Sequence, residues 1–494
     1  MESVPEAVAT GSLFYLKHQD CRIITRSLPL PVLTSLVKED SMNWNSFRAY
    51  DIRGVYPTDL DEDAYYRIAK AYTYLFHPKT MVVGMDARES GPSLKKALTD
   101  GFVDAGVNVV DIGGITTDMI YYAVGSTEEY SGGIVVSASH NPKEYNGAKM
   151  VREKAAAISS DTGLFEIRDI IKAGKDKSVT SETKGTVTEK NVFKDYVEHV
   201  LSFIDRDLVK PFHLVANANF GYVGRGVQII ADKLGLKLMR LNWDPDGSFP
   251  KGTPDPMQPA NRAETEELMR KSKFDFAAIW DADADRCMFL DEKSEFISGA
   301  YVTAMLADVL LTKRGGRNKI IFDPRVIWPA MKVCEQHGAQ AIVTKSGHAF
   351  IKDRMRKEDA IFAGEMSAHY YFRENFYADN GVIPFLLVLE QLSRTGKTFS
   401  ETMQPYMEGH YMSGELNYKV EDAQKTIDAV RARFSKEGAE DFTDGYSLTT
   451  DDWRFNIRPS NTEPLLRLNI EARKPGLVEK IRGEIEPIIG SKPH

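Results

Sequence analysis

Short apolar runs of strand character alternate with helical stretches along most of this chain, and that rhythm leaves few folds open. Met81-Val82-Val83-Gly84 is followed by a helical stretch over residues 93–105, and residues 107–112 read as the next strand. The rhythm restarts at His213-Leu214-Val215-Ala216, with residues 220–235 following, and again at Lys319-Ile320-Ile321-Phe322. Strands and helices joined by short glycine-bearing or polar loops predict βαβ units and a mostly parallel sheet. No residue-by-residue repeat is visible, yet the architecture recurs three times. After about residue 408 the pattern changes. Strands over 453–458 and 465–472 flank a tight polar loop, with helices over 422–434 and 476–489, which reads as a small α+β domain.

Two stretches look like connectors. Residues 174–190 are polar and poor in apolar anchors, so they suit a boundary or a long surface loop. Residues 245–261 are dense in proline and glycine and exclude regular helix or central strand. A length of 494 residues suits roughly three to four domains. The net charge of −8 argues against general nucleic-acid binding, but a local cluster of arginines can still dominate a cleft. The cysteines, Cys21, Cys287 and Cys334, are few, odd in number and scattered, which fits the cytoplasm better than a disulfide framework. The longest apolar stretch, residues 382–389, is too short to span a bilayer. Residues 1–41 carry Lys17, His18, Asp20, Arg22 and Arg26 and no clean signal-peptide apolar region. Met42 then opens a natural-looking start, so 1–41 is expected to be a misassigned start or a dispensable extension, and mass spectrometry of the native N-terminus decides it.

Four loops carry chemistry. The run Gly133-Ile134-Val135-Val136 feeds a polar loop with Ser139, His140 and Asn141, and Lys149 lies ten positions after the serine. A hydroxyl at the end of a buried strand is held rigidly where open α/β folds place reactive groups, and beside a cation it can carry a phosphoryl group. The second loop, Asp281-Ala282-Asp283-Ala284-Asp285-Arg286, follows another apolar run and puts three carboxylates within reach of one hard cation, Mg²⁺ or Ca²⁺. An EF-hand would also start Asp281, Asp283, Asp285 and finds Glu292 at position twelve, but Arg286 replaces its glycine at position six. A haloacid-dehalogenase-type phosphatase, with Asp281 as nucleophile, and a solvated acidic turn are the other readings. The third loop alternates Glu365, Ser367 and His369, a set suited to vicinal sugar hydroxyls if the loop is extended. The fourth, residues 458–464, offers Arg458, Ser460, Asn461 and Thr462, an inventory suited to a phosphate dianion.

In this order the motifs FRAYDIRG from Phe47, SASHNP with YNGAK, DADADR, KSGHAFIKDRMRKEDAIF, GEMSAH and RPSNTEP resemble the α-D-phosphohexomutase family, in its bacterial phosphomannomutase/phosphoglucomutase branch. The resemblance covers residues 47 to about 475. It implies three similar mixed-sheet α/β domains plus the small C-terminal α+β domain around a central cleft. The expected boundaries are 42–185 with the phosphoserine loop, 186–295 with the metal loop, 296–408 with the sugar-reading loop, and 409–494 with the phosphate-binding loop. Ala282, Ala284 and Ala368 stand where many relatives have glycine, and Arg325 where some have lysine, which keeps the charge but not the proton transfer.

The resemblance further implies a phosphoserine at Ser139 and one Mg²⁺ held by that group with Asp281, Asp283 and Asp285. Arg53, Lys149 and Arg286 would offset charge around the transferring phosphoryl. His140 belongs to the same catalytic set, and Lys149 and His348 are the acid/base candidates. Tyr50, Arg325, Gly347, Glu365, Ser367, His369, Arg458, Ser460, Asn461 and Thr462 would bind the sugar phosphate. The expected activity interconverts mannose 6-phosphate and mannose 1-phosphate, and the glucose pair, through a 1,6-bisphosphate, with glucose or mannose 1,6-bisphosphate as activator. The expected protein is cytoplasmic, a monomer or weak homodimer, with no nucleic-acid or membrane partner. The alternatives are an aspartyl-phosphate sugar phosphatase using Asp281 and a non-catalytic phosphosugar-binding protein.

Overall fold

The computed structural model describes residues 42–315, 317–460 and 465–493. The extension 1–41 and the predicted phosphate ligands Asn461 and Thr462 lie outside the described residues. The first sheet contains β1 (Ile52–Val55), β2 (Thr80–Met85), β3 (Asn108–Gly114), β4 (Gly132–Val136), β5 (Tyr145–Arg152) and β6 (Val187–Glu189). The second contains β7 (His213–Asn217), β8 (Lys237–Leu241), β9 (Phe276–Trp280), β10 (Cys287–Leu290) and β11 (Phe296–Ile297). The third contains β12 (Lys319–Phe322), β13 (Gln340–Val343), β14 (Phe362–Gly364), β15 (Tyr370–Phe372) and β16 (Ala378–Asp379).

One block recurs in all three: β3-β2-β4-β5, β8-β7-β9-β10 and β13-β12-β14-β15. In each, three strands are parallel and the fourth returns antiparallel to the third. The sheets are therefore mixed. The return is forced by length, because a parallel return needs a crossover of about a dozen residues or more and these loops are shorter. The serine loop, the acidic loop and the Glu365 loop thus occupy one topological position, at the carboxyl end of the third parallel strand. That is the edge where open α/β sheets bind ligands. Strands β4 and β9 are buried at every position, as continuous apolar runs covered on both faces should be.

The stretch 174–190 is not wholly a loop. It forms the turn Lys175–Ser178 and the edge strand β6, which pairs with β3. All three β6 residues are exposed, so no apolar pattern announced the strand. The proline-rich stretch ends by starting a helix, Pro259–Lys271, with Pro259 in the first turn, where its missing N–H costs nothing. Residues 382–389 form the buried first half of helix Val382–Thr395, and no described helix is long and apolar enough to cross a membrane.

The fourth sheet holds β17 (Tyr411–Met412), β18 (Leu416–Tyr418), β19 (Ala439–Asp441), β20 (Tyr446–Thr449), β21 (Trp453–Pro459) and β22 (Leu466–Ala472). Helices Ala423–Phe434 and Leu477–Ile489 close over Phe455, Ile457, Leu466, Leu468 and Ile470, a core separate from the one the first three sheets share. Its joint to the third domain combines polar and apolar contacts: Glu471 accepts the N–H groups of Ile327 and Trp328 at 2.7 and 3.0 Å, and Met412 packs against Ala300, Val326 and Met366.

The first three domains meet at a buried polar junction. Asp118, in helix Thr117–Gly125, accepts from Thr116 and from Tyr196 of helix Phe193–Leu201, and Asn380 donates to the Tyr196 hydroxyl at 3.2 Å. Burial pushes the Asp118 carboxyl up to about 7. In the unfolded chain it ionises near 4, so the unfolded state releases this proton first and stability falls as pH rises from about 4 to about 7. Denaturant melts of wild type and Asp118→Asn at about pH 5 and pH 8 should show wild type losing about 2–3 kcal/mol relative to the variant. A pH-independent difference would refute a raised carboxyl here.

Candidate active site

Ser139 is fully buried and its backbone is left-handed, with φ of 51°. Such a conformation costs a non-glycine residue about 1–2 kcal/mol and persists only where neighbours impose it. Here Arg88 imposes it. Its buried guanidinium donates to the carbonyls of Ser139, Asn141, Pro142 and Tyr145 at 2.7, 2.7, 2.6 and 3.0 Å. Asp86, 3.2 Å away, holds the arginine. The Ser139 N–H donates to Ser137 Oγ at 2.9 Å, and its own Oγ lies 3.2 Å from both Asp281 Oδ2 and His140 Nδ1. Arg53 reaches in from β1, bonded to Asn141 and to the Ala138 carbonyl.

Asp281, Asp283 and Asp285 are fully buried, with one oxygen from each within 4.8 Å of the others. Lys149 on β5 bridges two of them, 2.6 Å from Asp283 Oδ2 and bonded to Asp285 Oδ2. Burial would lower the lysine, but Asp283 and Asp285 outweigh it and hold Lys149 well above its ordinary value. Burial, then Asp285 and Asp283, push the Asp281 carboxyl well above the usual range. Burial also acts on Asp285, but Lys149 overrides it and keeps that carboxyl well below. Asp283 Oδ1 is buried without a hydrogen-bond partner among the described residues, and Asp285 Oδ1 has only a long ion-pair contact with His369 Nε2, at 3.5 Å. A buried orphaned carboxylate oxygen is expensive, and three converging hard ligands fit Mg²⁺. Glu292, the twelfth position of the EF-hand reading, instead accepts from Ser400 Oγ at 2.5 Å, and the loop is a hairpin between β9 and β10.

The third loop reaches this cluster through an antiparallel bridge between Arg286 and His369. Arg286 stands 2.8 Å from His140 Nδ1 and 3.1 Å from His369 Nε2, and His369 Nδ1 lies 3.0 Å from Glu365 Oε2. Glu365 also accepts from Tyr371 at 2.6 Å and Arg325 at 3.3 Å, and Arg325 lies 3.2 Å from Ser367 Oγ. Gly347 has φ of 124°, and a Cβ there would meet the Tyr50 ring at 3.0 Å, so only glycine fits. Tyr50 packs edge-on against His348, 5.0 Å between centroids. Burial, Lys352 and Lys149 keep His348 neutral, well below its ordinary value. Its Nδ1 is 3.4 Å from Lys352 Nζ, and its buried Nε2 has no partner among the described residues.

Arg325 joins this group to the fourth loop. Glu415 lies 3.5 Å from Arg325, 3.7 Å from Arg458 and 3.4 Å from Arg467, and Asp444 is 3.7 Å from Arg458. The Ser460 N–H closes the loop on the Leu465 carbonyl at 2.7 Å. Of the predicted residues, the structure gathers Ser139, His140, Lys149, Arg53, Arg286, His369 and the three aspartates into one cluster. Tyr50, Gly347, His348, Glu365, Ser367 and Arg325 form a second, and Arg458 and Ser460 a third linked through Glu415. Sequence reasoning missed Arg88, Thr117, Lys352, Glu415, Asp444 and Arg467. Two of these gave a signal: Arg88, paired with Asp86 just after the β2 run, and Lys352, four residues after His348 in the same motif.

Ala284 and Ala368 also sit at positive φ, 54° and 65°, with buried methyls. The strain, about 1–2 kcal/mol, is offset by about 0.8 for methyl burial and about 0.5–1 for the extra freedom glycine has when unfolded. Alanine in place of glycine is therefore close to neutral at both positions.

The family models for phosphoglucomutase/phosphomannomutase match in order: alpha/beta/alpha domain I over residues 45–178, domain II over 194–295, domain III over 298–409 and the C-terminal domain over 415–488. The chain is 43% identical to "Phosphohexose mutases" of Xanthomonas campestris pv. campestris over 87% of its length and 96% of the relative's. It is 44% identical to a phosphomannomutase of Escherichia coli K12, over 86% and 94% of the two chains. Among solved structures, a phosphoglucomutase/phosphomannomutase family protein from Burkholderia thailandensis superposes with a TM-score of 0.82 at 28% identity, covering 92% of this chain and 99% of that one. Four consecutive domain matches, and such identity to nearly whole bacterial mutases, leave one conclusion: this chain is an isomerase belonging to the phosphoglucomutase/phosphomannomutase family.

Proposed function

We propose that the enzyme interconverts mannose 6-phosphate and mannose 1-phosphate, and the corresponding glucose phosphates, by passing a phosphoryl group through Ser139. The observation that carries this reading is the placement of Ser139 Oγ 3.2 Å from the acidic triad. A hydroxyl of the bound hexose phosphate, at C6 or C1, attacks the phosphorus on Ser139. The P–Oγ bond breaks as the new P–O bond forms, giving a 1,6-bisphosphate. After the sugar turns end for end, Ser139 Oγ takes the other phosphoryl back.

Asp281, Asp283 and Asp285 would hold Mg²⁺ together with the Ser139 phosphate, and the ion would supply charge neutralisation there. Arg53, Arg286 and the Lys149 ammonium flank the same position and offset charge on the transferring group. His348, neutral and open at Nε2, exchanges the proton of the sugar hydroxyl, while Lys149, fixed as an ammonium, donates rather than accepts. Arg458 and Ser460, with Asn461 and Thr462, anchor the non-reacting phosphate. Glu365 and Ser367 contact the two sugar hydroxyls that keep their places in both orientations. A separate core favours hinge closure of residues 409–494 over the substrate, excluding water from the phosphoserine. The reading fits a cytoplasmic monomer or weak homodimer.

The test is a coupled assay of purified protein with mannose 1-phosphate and glucose 1-phosphate, Mg²⁺ and a trace of glucose 1,6-bisphosphate. Turnover of either sugar, with ³²P from labelled bisphosphate mapped to Ser139, is the expected result. Label on Asp281 with release of free phosphate would replace the mutase reading by a phosphatase.

A further inference from the structure

The two carboxylate oxygens of Asp283 have unlike surroundings. Oδ2 accepts from Thr117 Oγ1 at 2.6 Å, Lys149 Nζ at 2.6 Å and Ser137 Oγ at 3.3 Å. Oδ1 is buried and has no hydrogen-bond partner among the described residues. All three donors belong to the first domain, which carries Ser139. Two of them have other work: Lys149 is shared with Asp285, and Ser137 Oγ accepts from the Ser139 N–H. Thr117 gives its hydroxyl to Asp283 alone among the described residues, and at 2.6 Å this is a short, charge-assisted bond.

Thr117 is itself held on several sides. Its backbone N–H donates to the Asp283 carbonyl at 2.8 Å, so main chain and side chain both grip one residue. Thr117 opens helix Thr117–Gly125, and its neighbours Thr116 and Asp118 are bonded to each other, with Asp118 tied on to Tyr196 and Asn380. The hydroxyl therefore sits on a support drawn from three domains.

We propose that Thr117 is a positioning residue: its hydroxyl reaches from the first domain into the acidic loop of the second and locks Asp283 Oδ2, so that Oδ1 is the oxygen turned toward the cation. The inference rests on the proposed reading of the three aspartates as metal ligands. An aspartate carboxylate turns easily about its last torsion, and a ligand free to turn binds less well than one fixed beforehand. Partners that orient metal ligands are typically worth about 10–100-fold in metal affinity. Because Thr117 and Ser139 share a domain, the same bond also fixes the acidic loop relative to the serine.

The experiment measures binding of Mn²⁺ alone, by electron paramagnetic resonance, to the unphosphorylated full chain as wild type, Thr117→Val and Thr117→Ser. Both variants keep the backbone bond to the Asp283 carbonyl, and thermal melts check their folding. Thr117→Val is expected to weaken Mn²⁺ binding about 10–100-fold and Thr117→Ser to stay within about threefold of wild type. If valine packs badly against the carboxylate and the protein unfolds, Thr117→Ala serves in its place with the same expected loss. Equal binding by wild type and by the folded Val or Ala variant would overturn the inference, as would a Ser variant as weak as Val. No Mn²⁺ binding by wild type would overturn the metal reading itself and the inference with it.

Discussion

Turnover by a Ser139→Ala variant should fall at least about 10⁴-fold, with affinity for hexose phosphate unchanged within a few-fold. The substitution removes the oxygen that the proposed scheme has carry the phosphoryl group, 3.2 Å from Asp281. It leaves the loop standing, because Arg88 holds the carbonyl of residue 139 and Ser137 holds its N–H. Alanine tolerates the left-handed backbone about as well as serine does. The folded state loses one buried hydrogen bond, to Asp281, worth about 1 kcal/mol. The proposed anchoring residues, Arg325, Glu365, Ser367, Arg458 and Ser460, are untouched, so substrate is expected still to bind. The measurement pairs steady-state kinetics of the folded variant with titration of a non-reacting hexose phosphate and with ³²P labelling from the bisphosphate. Near-wild-type turnover, or label retained by the variant, would end the phosphoserine scheme.

The strands that place the reactive groups were legible because burial on both faces leaves a continuous apolar run, as at Ile134, Val135 and Val136 or at Ala277, Ala278 and Ile279. The chemistry at the strand ends was legible because reactive residues cluster in sequence: three aspartates in five positions announce themselves. What the sequence hid are the residues that act on a loop from far away. Arg88 shapes the Ser139 loop through carbonyls more than fifty positions on, and backbone carbonyls have no letter in a sequence. Glu415 matters only because three arginines from β21, β22 and the loop after β12 converge on it. The β6 strand was hidden for another reason: an exposed edge strand needs no apolar alternation. Mixed sheets were implied only by resemblance, although loop length alone excludes a parallel return after β9. The EF-hand reading, already failing in sequence at Arg286, is excluded again by a hairpin that carries Glu292 toward Ser400.

Replacing Lys149 should reveal how its two duties divide. Lys149→Met keeps the length and apolar stem but leaves Asp283 and Asp285 buried with no ammonium between them. Removing one partner from a buried ion pair costs about 3–5 kcal/mol, because the remaining charge is uncompensated. The variant should therefore melt well below wild type without metal. A divalent cation bound by the same carboxylates replaces part of that compensation, so saturating Mg²⁺ should raise the melting temperature of the variant more than that of wild type. Activity should behave differently. If the ammonium also offsets charge on the transferring phosphoryl, turnover stays about 10²–10⁴-fold low even when Mg²⁺ has restored the fold. The discriminating measurement is kcat at saturating Mg²⁺ and substrate, set beside the melting curve under the same conditions. Recovery of stability together with near-wild-type kcat would reduce Lys149 to a counter-ion for an empty acidic loop, and its place in the chemistry would pass to Arg53 and Arg286.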